Sequence, residues 1–253
     1  MPRISAAIIT KNESANIRRC LESLCWVDDI VVVDCGSTDD TLEICREFNC
    51  RVFHREWDGF AAQKNFSLSM SDADWVLSID ADEAVTAELA EEIRGVMSRS
   101  DYSAYEIPRQ NFFLGKPMRH GGWYPDRQLR LLRKGIGEFA NVPLHEHIRF
   151  SDDQVRVRRL KNPLLHHTYP SVNDFLAKAD RYTDIEVDTA IKEGHAPKSL
   201  IFSMVTAFPS KFGEVYLYKG GWKDGLHGFI AAVLMSVRVF VRYAKMWQAF
   251  QQK

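Results

Sequence analysis

Strand-like and helix-like runs alternate through the first part of this chain, and that alternation admits few folds. Residues 4–10, 30–34, 51–54 and 75–79 read as short apolar strands. Between the first two, Ile17, Cys20, Leu21 and Leu24 recur at helical spacing. Leu42, Cys45 and Phe48 do the same after the second strand, and Leu89, Ile93 and Val96 after the fourth. Thr38 or Asp39 can cap the helix of Leu42, and Thr86 that of Leu89. This repeat predicts an α/β fold: a mostly parallel sheet with helices on both faces, whose ligand site lies at the carboxyl ends of the strands.

The candidate chemistry falls at those ends. Asp80-Ala81-Asp82-Glu83 follows the strand at 75–79 directly. Three carboxylates packed so closely raise each other's pKa values unless a cation neutralises them, and hard oxygen ligands suit Mg²⁺ or Mn²⁺. The plainer alternative is a solvated acidic turn before the helix at Thr86. The second strand ends in Asp34-Cys-Gly-Ser-Thr-Asp-Asp-Thr41, where Gly36 permits a tight turn and Asp34 and Asp39 can accept hydrogen bonds from a base or ribose. This is no phosphate loop, because both glycine-rich patterns are missing and its acidity repels phosphate. Thr10-Lys-Asn-Glu13 offers polar groups at the same rim, and Lys64 precedes the acidic run at a position from which it can approach donor phosphates.

The remainder divides by pattern. At 253 residues the chain suits one large domain or one domain plus an appendage. Residues 104–150 read as strand and loop, the acceptor side, and helical sequence resumes near Val172 with breaks at Pro197, Pro209 and Gly220-Gly221. We therefore divide it into a catalytic part, 1–170, and a helical, basic extension, 171–253. A formal net charge of -1 with 26% charged residues gives no global field for nucleic acid. Five cysteines, an odd number without zinc-ligand spacing, read as buried or semi-buried thiols. With no charged leader and apolar signal core at the start, they suggest a reducing cytoplasm.

In the extension, residues 229–237 are uncharged and almost wholly apolar, too short a run to span a bilayer, which needs about 20 apolar residues. Arg238, Arg242 and Lys245 follow as one basic stripe, and from Lys211 onward seven Lys/Arg face two acids. This predicts a helix lying on an anionic membrane surface; the alternatives are an ordinary bundle helix or an oligomer interface, with the basic face in water.

Taken in order, Thr10-Lys-Asn-Glu13, Val31-Val-Val-Asp-Cys-Gly-Ser-Thr-Asp-Asp-Thr41, Lys64-Asn65 and Asp80-Ala-Asp-Glu83 resemble glycosyltransferase family 2 with the GT-A fold, a Rossmann-like α/β architecture. The stretch from Gly122 to Arg133, Leu144-His-Glu146, His166-His-Thr-Tyr169 and the Gly-Trp-Lys-Asp-Gly segment at 221–225 resemble its lipopolysaccharide core β-1,4-glucosyltransferase branch. The likeness covers essentially the whole chain. It implies a UDP-sugar donor, a divalent metal, inversion at the anomeric carbon, and a lipid-linked saccharide acceptor at the cytoplasmic face of the inner membrane.

Carried over by position, the resemblance puts Thr10, Glu13, Asp34 and Asp39 at the nucleoside and Asp80 at the ribose-diphosphate, with Gly36, Lys64, Ala81 and Arg130 as further donor-binding residues. Asp82 goes to the metal, Mn²⁺ or Mg²⁺, with His166 rather than His167 as a late ligand. Lys178 and Arg181, followed by Tyr182, either neutralise the leaving diphosphate or are solvated helix charges. Inverting transfer needs a base for the acceptor hydroxyl. Glu146 is the first choice and Asp126 the second, because the usual Glu-Asp is replaced here by His145-Glu146. The alternatives are a polyprenyl-phosphate sugar synthase, whose anionic acceptor needs no base, a nucleotidyltransferase, disfavoured by the missing basic glycine loop, and a non-catalytic sugar-nucleotide or membrane-binding module.

Overall fold

A computed structural model describes residues 2–98, 101–141, 147–194 and 199–251. The alternation forms as expected: β1 (Ile4–Thr10), α1 (Ile17–Glu22), β2 (Asp29–Asp34), α2 (Thr41–Glu47), β3 (Arg51–His54), α3 (Phe60–Ser69) and β4 (Trp75–Asp80). These strands lie in the order β3-β2-β1-β4, all parallel. β1, β2 and β4 are buried along nearly their whole length, as strands covered on both faces must be. The helical apolar positions supply the cover: Ile17, Cys20, Leu21 and Leu24 of the α1 region join Trp75, Leu77 and Ile79 in one core.

After β5 (Glu83–Val85) comes α4 (Ala87–Met97), whose Thr86 cap accepts the Leu89 N–H as expected and whose Leu89 and Ile93 enter the same core. The chain then makes β6 (Ala104–Phe113), β7 (Lys116–Pro117), β8 (Asp126–Arg133), β9 (Gly137–Phe139), β10 (Ile148–Phe150), β11 (Val157–Arg159) and β12 (Leu164–Tyr169) with no described helix among them. Without crossover helices, antiparallel pairing becomes available, and β8 joins β4 and β12 joins β5 in that sense. The sheet is thus mixed, β3-β2-β1-β4-β8-β6-β12-β5, and its parallel half is the part legible from the strand–helix repeat.

The chain forms two compact units, residues 1–109 with 127–166, and residues 110–126 with 167–253. The first holds the parallel strands. In the second, α5 (Val172–Lys192) opens with a capping box between Ser171 and Asp174. α6 (Leu200–Phe212) runs through Pro209, where a break was expected. Proline forgoes one backbone hydrogen bond, and the loosened winding that follows it, Gly213–Tyr218, is π-helical. The break expected at Gly220-Gly221 does form: the chain turns at Gly220, with φ of 68°, and passes through the short 3-10 segment Gly221–Asp224 into α7 (Leu226–Gln251).

That corner explains the glycine-rich segment at 221–225. A Cβ on Gly228 would stand 1.8 Å from the Gly221 carbonyl oxygen, so α7 packs directly on the backbone of the corner. Asp224, buried within it, accepts the backbone N–H groups of Arg119 (3.0 Å) and His120 (2.8 Å) and lies 3.0 Å from His120 Nδ1. Burial works against its charge, but the His120 and Arg119 hydrogen bonds outweigh that and hold its pKa below the usual carboxylate value.

The basic stripe is paired within its own unit: Arg238 and Arg242 pair with Glu186 of α5, and Lys245 lies 2.6 Å from Asp180 and 2.6 Å from Asp184 of the same helix. The acids that meet this row all lie on α5, so reading α7 alone does not reveal the match. All five cysteines are free, and Cys25 is exposed rather than buried or semi-buried.

Candidate functional site

Thr10, Asp34 and Asp80 end three neighbouring parallel strands, with Thr10 opposite Asp34 and Ile9 opposite Asp80. The loops that leave β1 and β2 are laced together. Asn12 N–H donates to Ser37 Oγ (2.9 Å), Glu13 N–H to Thr41 Oγ1 (2.8 Å) and Ser14 N–H to Asp39 Oδ2 (3.0 Å), while Thr38 N–H donates to Asn12 Oδ1 (2.8 Å). Asp34, 2% exposed, turns its carboxylate into its own loop and accepts the N–H groups of Gly36 (2.8 Å) and Ser37 (2.9 Å). That turn needs Gly36, whose φ of +86° L side chains rarely adopt. Burial opposes the charge on Asp39, yet hydrogen bonds from Thr41 and Ser14 hold its pKa well below the carboxylate range. The acidic residues of this rim therefore shape it, and Thr10 Oγ1 remains buried there without a hydrogen-bond partner among the described residues. Glu13 accepts from Asn16 Nδ2 at 2.8 Å.

At the end of β4 the carboxylates are not left to repel one another. Arg130 of β8 donates to both Asp80 and Glu83, the latter at 2.8 Å, and Lys64 of α3 stands 3.2 Å from Asp80 Oδ1. Arg109 of β6 adds a second cation, 3.3 Å from Glu83. Burial raises the cost of ionising Asp80, but Arg130 and Lys64 outweigh it and hold its pKa well below the usual range. Glu83, with no exposure, also accepts the Asp80 N–H at 3.0 Å, which fixes the strand-end turn around buried Ala81. Lys64, expected near the donor phosphates, and Arg130, expected to bind the donor, are held on this carboxylate pair.

Asp82 differs. Its Oδ2 lies 3.4 Å from His166 Nε2, both side chains being largely shielded. His166 reaches it because β12 pairs antiparallel with β5, His166 opposite Glu83. The next residue points to the other face of the strand, and His167 stacks on Phe112 with ring centroids 4.6 Å apart. Among the described residues no group of three or more His, Cys, Asp or Glu side chains stands ready to hold a metal. One carboxylate and one imidazole nonetheless fit an ion that takes its other ligands from a diphosphate and water, the usual manner of Mg²⁺ at phosphates.

In the second unit, Asp126 follows the cis Tyr124-Pro125 bond and accepts from Asn111 Nδ2 at 3.3 Å. Lys178 Nζ donates to the Thr168 carbonyl oxygen at 3.2 Å and lies over the Tyr169 ring, and Arg181 lies over Tyr182. Glu146 and His145 lie outside the described residues. Residue-by-residue reading missed two organisers. Glu83 was visible as the last acid of its run, whereas Arg109 carries no local signal and arrives only by strand pairing.

A mixed α/β sheet whose parallel strands β1, β2 and β4 gather polar loops and balanced carboxylates at their ends defines a GT-A type of nucleotide-sugar fold. The sequence profile described as Glycosyl transferase family 2 matches residues 5–154, and the chain belongs to that family; it is a glycosyltransferase. It is 30% identical over 252 residues to the lipopolysaccharide core biosynthesis glycosyltransferase LpsC of Rhizobium meliloti, covering 97% of this chain and 92% of the relative. Two solved structures share the fold. The mannosyltransferase PcManGT of Pyrobaculum calidifontis, in complex with GDP-Man and Mn²⁺, has a TM-score of 0.56 at 16% identity over 97% of this chain and 87% of its own. TarS of S. aureus, in complex with UDP-GlcNAc, has a TM-score of 0.51 at 16% identity over 99% and 92%.

Proposed function

We propose that the protein moves a hexose, with glucose the sugar to test first, from UDP to a lipid-linked saccharide such as the lipopolysaccharide core, inverting the anomeric centre, on the cytoplasmic face of the inner membrane. The observation that carries this reading is the division between two aspartates of one strand end. Asp80 is neutralised by Arg130 and Lys64, whereas Asp82 faces His166 across 3.4 Å. The first suits a fixed acceptor for ribose hydroxyls, since a carboxylate held ionised accepts hydrogen bonds without titrating. The second suits a divalent ion, Mn²⁺ or Mg²⁺, which when bound would spread the charge of a departing diphosphate. The lipopolysaccharide core relative supports the acceptor class, and the UDP-GlcNAc complex of the structural neighbour supports the donor class.

In this reading the laced rim of Thr10, Glu13, Asp34, Gly36 and Asp39 receives the nucleoside, and Ala81 lets it approach the end of β4. Lys178 serves the leaving diphosphate. Glu146 or Asp126 takes the acceptor proton. Residues 1–170 carry the transfer and 171–253 the attachment.

Asp82→Ala tests the division. UDP titrations should show the variant losing the affinity gained with Mn²⁺ while keeping the metal-free affinity, and transfer should vanish. Equal affinity of parent and variant in Mn²⁺ would sink the assignment. For the base, Glu146→Gln should lower turnover by about 10²–10⁴ with donor affinity little changed. Parental turnover there, with collapse in Asp126→Asn, moves the role to Asp126.

A further inference from the structure

α6 is turned inside out. Ile201, Val205 and Phe208 fall on one face, at spacings of four and three, and Phe202 borders it. Ile201 is 70% exposed, Phe202 68% and Val205 71%, whereas the buried residue of this helix is the small Ala207. An amphipathic helix in a folded unit normally shows the reverse. The exposed apolar surface continues past the helix. Phe208, Phe212 and Phe229 form a chain of ring contacts at 6.3 and 5.9 Å, and Tyr216 meets Phe229 at 5.7 Å. The corner beside them exposes Leu217, Tyr218, Trp222 and Leu226. Contiguous apolar surface on this scale marks an interaction site.

The charges around it select the occupant. Lys211 and Lys219 both hold Glu214, at 2.8 and 2.5 Å, and their hydrogen bonds pull its pKa down to about 2. Two lysines on one carboxylate leave that group positive at neutral pH. Lys223 lies over the Trp222 ring at 5.5 Å. An apolar face edged by lysine, with a tryptophan and a tyrosine at its rim, is complementary to a bilayer interface carrying anionic headgroups.

We propose that α6 and the corner from Leu217 to Phe229, not the basic stripe of α7, seat the protein on an anionic lipid surface. The proposal rests on the reading of the protein as a membrane-associated transferase and assigns that attachment its surface. α7 is long and apolar enough to cross a membrane by length and composition. Its Arg238, Arg242 and Lys245 are nevertheless held by the acids of α5, a helix too charged for hydrocarbon. The contact is therefore interfacial: the apolar side chains enter the acyl boundary and the lysines meet headgroups.

Co-sedimentation with vesicles of three parts phosphatidylcholine to one part phosphatidylglycerol tests this on the full chain. Ile201→Ser, Phe202→Ser and Val205→Ser, combined, should weaken binding at least about tenfold, since each removes an inserted apolar side chain. Brominated lipid should quench the parent's tryptophan fluorescence, and Trp222→Phe should reduce that quenching. UDP-sugar hydrolysis with Mn²⁺, measured on the same preparations, reports the transferase reading separately; its absence beside intact vesicle binding overturns that reading and leaves the docking surface standing. The docking surface is refuted if the parent stays in the supernatant, or if the triple variant pellets as the parent does. Loss of a parent dimer in light scattering on the triple substitution, without vesicle binding by the parent, would instead assign the patch to a second copy of the chain.

Discussion

At the end of β4, Asp80 and Glu83 meet Arg130, Lys64 and Arg109 where little water reaches; between α5 and α7, Glu186, Asp180 and Asp184 meet Arg238, Arg242 and Lys245 near the surface. The residue types are the same and the consequences differ. Glu83 is wholly buried and Arg130 nearly so, so each depends on the other for the solvation it has lost. On α5, Asp180 and Asp184 remain mostly exposed, and water can replace either partner. The first cluster fixes the geometry of a strand end. The second holds two helices in register at small gain and uses up the charges that a reading of α7 alone assigns to lipid.

The sharpest way to break this contrast is Arg130→Met. Removing one partner from a buried charge network should cost about 3–5 kcal/mol in urea unfolding, because Glu83 and Asp80 stay behind with too little compensation. A loss under about 1 kcal/mol would place the two clusters in one class. The same variant sharpens the contrast through pH. The Asp80 pKa is depressed in the folded state, so its contribution to stability is complete above the unfolded carboxylate pKa and declines as pH falls toward the folded one. The parent should therefore lose stability below about pH 5. Arg130→Met, whose Asp80 titrates closer to its ordinary value, should show a shallower slope there.

Asp224→Asn should fall between the extremes. The amide can still accept the backbone N–H groups of Arg119 and His120 but loses the charge-assisted bond to the His120 ring, a cost of about 1–3 kcal/mol. Lys245→Ala should do least, about 0.2–1 kcal/mol, and added salt should shrink that further. If Lys245→Ala matched Arg130→Met, exposure would not be what separates the two sets of charges.

The rim that ends the parallel strands is legible in the local sequence. Local period marked β1, β2 and β4, and the rule that ligands meet the carboxyl ends of parallel strands brought Thr10, Asp34 and Asp80 to one rim. Those inferences depend on neighbours in sequence. Strand alternation also separates His166 from His167, sending one toward Asp82 and the other onto Phe112. What went unseen depended on partners distant in the chain. Arg130 is bonded to two carboxylates about fifty residues earlier, and no motif announces Arg109.

The sequence by itself determined the strand–helix repeat, its turn chemistry at Gly36 and Thr86, and the family, because these rest on period, capping and motif order along the chain. Tertiary structure alone decided which charges are balanced and which apolar faces stay uncovered. Arg238, Arg242 and Lys245 look like a free basic stripe until α5 sets its acids against them. Ile201 and Val205 are apolar, yet the packing of α6 leaves them outside. Charge and hydrophobicity are properties of a residue, whereas neutralisation and burial are properties of its surroundings, and only folding supplies those.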